Sequence, residues 1–276
     1  MGRLARSFAL FKASLRVLRS RKELATFPVL AGVSGLLVAL VFLVPAFFVS
    51  RNGLMNEVKV APGSWGLLAL FYVAAAFVTV FFNAALISQA DVALRGGDPS
   101  VGAGLRAAGR NWLRLLGWAI ITATVTMILR VIEERLGFLG TLIARGVDVA
   151  WSLVTYLVLP VLMLENRTVR ESAKRSGEMF KRTWGENLAG QGGIGLAGFL
   201  VSLAGVIVLL LPGTLLGGAI TWFVCLGLAF CWLLVVSILT STLSGIYQTA
   251  LYRYAAEGTV AGEFADVDLQ DAFVTR

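Results

Sequence analysis

Arg130, Glu133, Glu134 and Arg135, followed by Arg145 and Asp148, form one group of ionisable side chains within a largely apolar stretch. Two adjacent carboxylates can hold a cation or relay protons where they face a cavity. Arg130 also stands three residues from Glu133 and four from Glu134, so the group can instead neutralise itself along one helix face at the end of a span. Self-neutralisation is the expectation, because the arginines already supply the positive charge a metal would bring.

The remaining inventory is poor in catalytic groups. The sequence has no histidine and two cysteines in 276 residues, which removes the commonest general base and metal ligand and any thiolate cluster. Cys225 and Cys231 lie six residues apart on an apolar stretch, about 240° apart on a helix, so they cannot pair and are expected to be small core residues. No nucleophile elbow, P-loop or dinucleotide glycine pattern falls between a strand and a helix. Neither a catalytic residue, nor a cofactor, nor a metal is expected. Uncharged polar residues are more plentiful: Asn83, Gln89, Thr122, Thr124, Thr126, Gln191, Ser237, Thr240, Ser241, Thr242, Ser244 and Gln248. They can line a hydrated path or bind helices to one another, and interhelical contact is the expectation. Gly195, Gly198, Ser202 and Gly205 recur at spacings of three and four, a stripe on which a second helix can approach closely.

The elements that position these residues follow from hydropathy. The chain is 58% apolar and 14% charged, against about 45–50% and about 25% in soluble domains, and its mean hydropathy is +0.82. A bilayer core needs roughly 20 apolar residues per helical span. Neutral runs at 24–50, 60–90 and 188–252, with shorter ones at 115–129 and 149–164, predict an all-α bundle of six spans, near 24–49, 65–90, 115–135, 147–164, 188–211 and 218–245. The longest run must fold back, and Pro212-Gly213 with Gly217-Gly218 is its turn signal, the last helix continuing to about Glu257. The first run is too long for a signal-peptide core and stays as a span. With an inside amino terminus, 19 of the 24 Lys and Arg fall on the inside, as the positive-inside rule requires. Both chain ends are then cytoplasmic.

A basic amphipathic segment precedes each pair of spans. In residues 2–19, Leu4, Phe8, Phe11, Leu15 and Leu18 make a stripe flanked by Arg3, Arg6, Lys12, Arg16 and Arg19. In residues 99–114, Ser100 offers an N-cap and Arg106, Arg110 and Arg114 face headgroups; in 168–184, Lys174, Arg175, Lys181 and Arg182 do so. The last two copies align without gaps at an offset of 68 residues: Ser100 with Thr168, Arg106 with Lys174, Gly109 with Gly177, Trp112 with Phe180, Arg114 with Arg182 and Gly117 with Gly185. The unit is a basic interfacial helix followed by a hairpin of two spans, used three times.

Five stretches carry a family likeness: Leu24 to Leu30 after an Arg/Lys run, Gly96 to Val101, Leu129 to Gly137, Lys174 to Glu186, and Gly245 to Ala255. On them the chain resembles, over nearly its whole length, a family of six-span integral membrane proteins of actinobacteria and some archaea, a domain of unknown function. The resemblance implies a bacterial or archaeal membrane protein and brings no activity.

The sequence therefore predicts one transmembrane domain, residues 1–257, and an acidic cytoplasmic tail, 258–276, in the cytoplasmic membrane. The expected role is non-enzymatic, a membrane-organising scaffold or complex subunit that binds anionic phospholipid, with self-association or a partner membrane protein and no nucleic acid. The alternative is a channel or transporter for an ion or small solute.

Overall fold

Uncharged stretches of this length satisfy their backbone groups in lipid only as helices, and helices are what the computed structural model contains. It describes residues 3–52 and 64–258. The order is α1 (Arg3–Ser20), a 3-10 turn (Lys22–Ala25), α2 (Thr26–Asn52), α3 (Ser64–Leu94), α4 (Val101–Arg110), α5 (Trp112–Thr155), α6 (Val158–Leu164), α7 (Val169–Leu216) and α8 (Ala219–Glu257). Among the described residues, six stretches are long and apolar enough to cross a membrane: Lys22–Phe42, Gly66–Leu94, Trp112–Arg135, Gly140–Leu164, Gly193–Thr214 and Ile220–Glu257. Only 11–28% of each of these windows is buried within the protein, so most of their apolar surface faces outward, as a lipid solvent demands. The acidic tail lies outside the described residues, as do the side chains of Arg6, Lys181, Arg182 and Gln191.

The chain falls into two compact units. One gathers Met1–Ala25, Ala90–Pro99 and Lys181–Arg276; the other comprises Thr26–Gln89 and Ser100–Phe180.

In the first unit α7 and α8 form an antiparallel pair. A Cβ on Gly198 would overlap the Thr240 side chain, one on Gly205 would overlap the Trp232 indole, and one on Gly213 would stand 3.2 Å from the Trp222 ring. Trp232 Nε1 donates to the Val201 carbonyl at 3.2 Å. The reversal is not at Pro212-Gly213, where the sequence reading also placed a turn signal. Helix α7 runs through Pro212 to Leu216, since the missing amide of one proline near a helix end is tolerated in a span. The turn is Gly217-Gly218, with φ of 66° and 88°, conformations that glycine adopts without strain. Helix α1 packs against α8 and the 3-10 turn, and its buried side is Ala13, Ser14, Val17 and Leu18. Of the expected stripe, Leu18 is buried and Phe11 and Leu15 are half-buried, while the side chains of Leu4 and Phe8 lie outside the described residues.

In the second unit the expected loop between the third and fourth spans is absent, because α5 stays helical from Trp112 to Thr155. Trp118 and Trp151 nevertheless stack, with centroids 6.0 Å apart and planes 16° apart. Along a straight helix they would be about 50 Å apart, so the axis reverses between them. The segment midway has no proline to break the hydrogen-bond ladder, but contains Gly137, Gly140 and Gly146, residues at which helices bend. The real interruption comes later, at Tyr156-Leu157. Pro160 has no amide to offer the Tyr156 carbonyl. The Leu157 amide donates instead to Ser176 Oγ at 3.2 Å, while that hydroxyl donates to the Val154 carbonyl at 2.6 Å. Ser176→Ala is expected to strand a buried amide and lower stability by about 1–3 kcal/mol, measured as unfolding in mixed micelles. Ser152→Ala, which removes an exposed hydroxyl bonded to Val149, is the control with little effect.

The 68-residue offset extends to burial. Helix α4 buries Gly104 and Ala108, and the first turns of α7 bury Ser172 and Ser176, positions 68 apart in each case. Gly104 leaves no room for a side chain: a Cβ there would lie 2.6 Å from the Phe27 ring and 2.8 Å from Gln89.

Candidate functional site

The spans carry charge at their ends, and the first unit gathers four such groups. Asp91 and Arg95 are one turn apart at the end of α3; Arg253 and Glu257 are one turn apart at the end of α8. Arg95 binds Asp91 at 2.9 Å and Glu257 at 2.8 Å, and Arg253 lies 3.4 Å from Glu257 and 3.9 Å from Asp91. The result is a closed ring of alternating sign that ties two helix ends together. Asp91 and Arg253 are only 9% and 8% exposed. The hydrogen bond that Arg95 donates to Asp91, and the charge of that carboxylate, push the Arg95 pKa further up, so Arg95 keeps its charge. Neutral overall, the ring can join helices, but it offers no net charge to a ligand.

The opposite balance holds in the second unit, where α4 meets α5. The Asn111 amide reaches back to the Ala108 and Gly109 carbonyls, and α5 starts at Trp112. Arg114 Nη1 donates to Asn166 Oδ1 and, at 3.3 Å, to Asn111 Oδ1. Among the described residues, Arg106 and Arg110 have no ion pair or hydrogen bond, and both are exposed. Trp112 and Leu113, next to Arg110, are 50% and 64% exposed. Arginines without carboxylate partners thus stand next to bare apolar surface, which suits a bilayer interface.

The family described as "Family of unknown function (DUF6159)" matches residues 64–262, most of the chain. The chain belongs to DUF6159. No curated protein and no solved structure matches it. What this DUF6159 member can do must therefore be read from its own side chains.

The start of α7 is closed by a capping box. Thr168 donates through its hydroxyl (2.8 Å) and amide (3.0 Å) to Glu171, whose own amide reaches back to the Thr168 hydroxyl at 3.4 Å. The Thr168 hydroxyl, then its amide, hold the Glu171 carboxyl below its ordinary range. A lowered carboxyl pKa makes this cap's contribution complete at neutral pH and lost as pH falls through the lowered value. At the other end of the series, Ser100 occupies the N-cap of α4 but makes no side-chain cap bond; its amide donates to Gln89 Oε1 at 2.8 Å.

The other residues singled out from sequence are scattered in role. Arg175 is not free for headgroups: it lies 3.6 Å from Glu165 and 4.0 Å from Glu178, and Arg167 also pairs with Glu165. Lys174, Arg16 and Arg19 are exposed. Arg130 forms no ion pair with Glu133 or Glu134 among the described residues; its guanidinium lies over the Tyr72 ring, 5.3 Å from the centroid. Ring contact replaces the expected helix-face pairing because the arginine can cover an aromatic face that the carboxylates cannot. Glu134, Arg135, Arg145 and Asp148 are exposed and Glu133 is half-buried, without a shared centre. The threonines mostly bond their own helices: Thr122, Thr124, Thr126, Thr240 and Thr242 each donate to the carbonyl four residues back. Such hydroxyls are spent locally, so the cross-element role falls to Gln89. Asn83, Ser244 and Gln248 are half-buried.

In the glycine stripe, Gly198 and Gly205 receive α8, Ser202 is half-buried, and Gly195 meets nothing within 4 Å. Cys225 is buried but Cys231 is exposed, a correction to the expectation of two core cysteines that follows from their rotation on α8.

Sequence reasoning missed the ring. Asp91 and Arg253 served only to mark where neutral runs stop. The signal was present, because Asp91 and Arg95, and Arg253 and Glu257, are opposite-charge pairs at i,i+4 in reversed order at the ends of two spans.

Proposed function

We propose that this protein is a non-enzymatic membrane scaffold of a bacterial or archaeal cytoplasmic membrane, and that it organises anionic phospholipid on the cytoplasmic leaflet through its basic amphipathic helices. Both chain ends lie on the cytoplasmic side in this reading, in line with the distribution of Lys and Arg. The observation that supports it is the contrast in charge compensation. Where charges are buried, at Asp91 and Arg253, they meet opposite charges; where α4 meets α5, Arg110 stands exposed beside Trp112 and Leu113 without a carboxylate, and Arg106 is exposed one turn earlier on α4. Each such cation near an anionic surface adds on the order of 1 kcal/mol of attraction. The local hydrogen bonds of the threonines favour the scaffold over a conducting path, since hydroxyls turned to their own backbone leave little to coordinate a solute. Any partner membrane protein or second copy would dock on the outward apolar faces.

Liposome flux separates the two readings. The protein reconstituted in phosphatidylglycerol-containing vesicles is expected to leave ion and small-solute flux at the level of empty vesicles. Robust flux abolished by Asn83→Leu or Gln248→Leu would make it a channel or transporter.

A further inference from the structure

We propose that the pocket at the junction of α4 and α5 is a discrete binding site for the phosphate group of an anionic lipid headgroup. This rests on the lipid-binding reading above and goes beyond it, because a built site holds one lipid with defined partners while a basic surface holds many without them.

The pocket has a volume of about 410 Å3 and is lined by Arg110, Asn111, Trp112, Leu113, Arg114 and Asn166. That is within the roughly 300–1,000 Å3 of small-ligand sites. Arg110 is the last residue of α4 and Arg114 lies in the first turn of α5, on either side of the Asn111 junction. Asn166 arrives from the connection between α6 and α7 in a left-handed conformation, φ 54°, which asparagine tolerates better than most residues. No carboxylate lines the pocket. The nearby acids are engaged elsewhere, Glu165 with Arg167 and Arg175, and Glu171 in the α7 cap.

The choice of asparagine at 166 is the telling feature. Asp98 and Asn166 are 68 residues apart, and each stands three positions before the first residue of a helix, Val101 of α4 and Val169 of α7. Each also receives an arginine from the start of the preceding hairpin, Arg21 to Asp98 and Arg114 to Asn166. In the first pair a carboxylate cancels the arginine. In the second, amide oxygens from Asn166 and Asn111 orient the guanidinium without neutralising it. Arg114 is thereby preorganised and still cationic, next to an Arg110 with no partner among the described residues. Two guanidinium forks lining one pocket suit the oxygens of a phosphate. The lip of the pocket decides the source of that phosphate: half-exposed Trp112 and bare Leu113 offer an acyl chain a surface that a soluble anion cannot use.

The test titrates the full-length protein in neutral detergent with phosphatidylglycerol, phosphatidylcholine and free glycerol phosphate, counting retained lipid by native mass spectrometry. The expected result is saturable retention of a single phosphatidylglycerol per chain, with phosphatidylcholine and glycerol phosphate held at least roughly tenfold more weakly. Asn166→Asp, which keeps the acceptor for Arg114 but adds the cancelling charge, and Arg110→Gln each weaken retention by roughly tenfold or more. Arg106→Gln, off the pocket, removes one surface cation and weakens retention by no more than roughly fivefold, less than Arg110→Gln does. An equal loss from Arg106→Gln and Arg110→Gln would overturn the pocket and leave diffuse lipid attraction standing. No preference for phosphatidylglycerol in the unaltered protein would overturn both readings. Displacement of the lipid by glycerol phosphate at similar concentration would overturn a lipid as the occupant. Thermal unfolding of each variant accompanies the titration; should Asn166→Asp unfold early, the exposed and uncontacted Arg110 carries the test alone.

Discussion

Asp91→Leu is expected to destabilise the protein by about 3–5 kcal/mol, the cost of leaving a buried cation without its counter-charge. Arg253 is 8% exposed, and its guanidinium has Asp91 on one side and Glu257 on the other. Removing Asp91 also releases Arg95, which spans Asp91 and Glu257. Arg95 itself is half exposed, so Arg95→Gln is expected to cost less than about 1 kcal/mol. The double variant Asp91→Leu with Arg253→Met recovers most of the loss, because an apolar pair of similar volume needs no compensation. Unfolding midpoints in mixed micelles for the three variants read this out. If Asp91→Leu is no worse than Arg95→Gln, the ring does not hold the helix ends.

Gly205→Leu is expected to cost about 2–4 kcal/mol, from overpacking and from loss of one hydrogen bond. The Trp232 indole occupies the space that any side chain at 205 needs, and the same indole donates to the Val201 carbonyl. In lipid, where close packing replaces the hydrophobic effect between helices, prising α7 from α8 forfeits the main attraction within the hairpin. Gly195→Leu adds its side chain to open space on the same helix and is expected to change stability by less than about 1 kcal/mol. A crosslink between cysteines introduced at 198 and 240, where a Cβ on residue 198 stands 3.5 Å from that of residue 240, supplies an independent readout that keeps Trp232, falling in Gly205→Leu and unchanged in Gly195→Leu. Equal effects of the two substitutions would mean that the glycine stripe is not where the helices meet.

Much of the architecture is legible in the residues. Uncharged length marks the long runs 24–50, 60–90 and 188–252, and the shorter runs 115–129 and 149–164 read as spans once their flanking charges reach the interface. The 68-residue match leads to equivalent buried positions, Gly104 with Ser172 and Ala108 with Ser176, because small residues are needed wherever an amphipathic helix sits on span ends. What resisted reading has physical causes too. Composition says where a helix cannot be broken by water, not where its axis turns, so the reversal within α5 left no mark of proline, only scattered glycines. Pro212 looked like a break, yet a span near its end absorbs the missing amide, and the positive-φ pair Gly217-Gly218 makes the turn. The ring of Asp91, Arg95, Arg253 and Glu257 depends on two helices separated by more than 150 residues, a proximity no local pattern encodes. The junction at Arg114 was half visible: the basic stripe announced the arginines, while the neutral partner Asn166 acquires meaning only beside Asp98.

The measurement that bears most directly on lipid organisation is quenching of Trp112 by brominated lipid in reconstituted vesicles, taken as the difference between the unaltered protein and Trp112→Phe. At equal mole fraction, brominated phosphatidylglycerol is expected to quench this tryptophan several-fold more than brominated phosphatidylcholine, with the excess reduced in Arg110→Gln. Equal quenching by the two lipids would contradict the account, because the exposed arginines beside Trp112 would then be gathering no anionic headgroups.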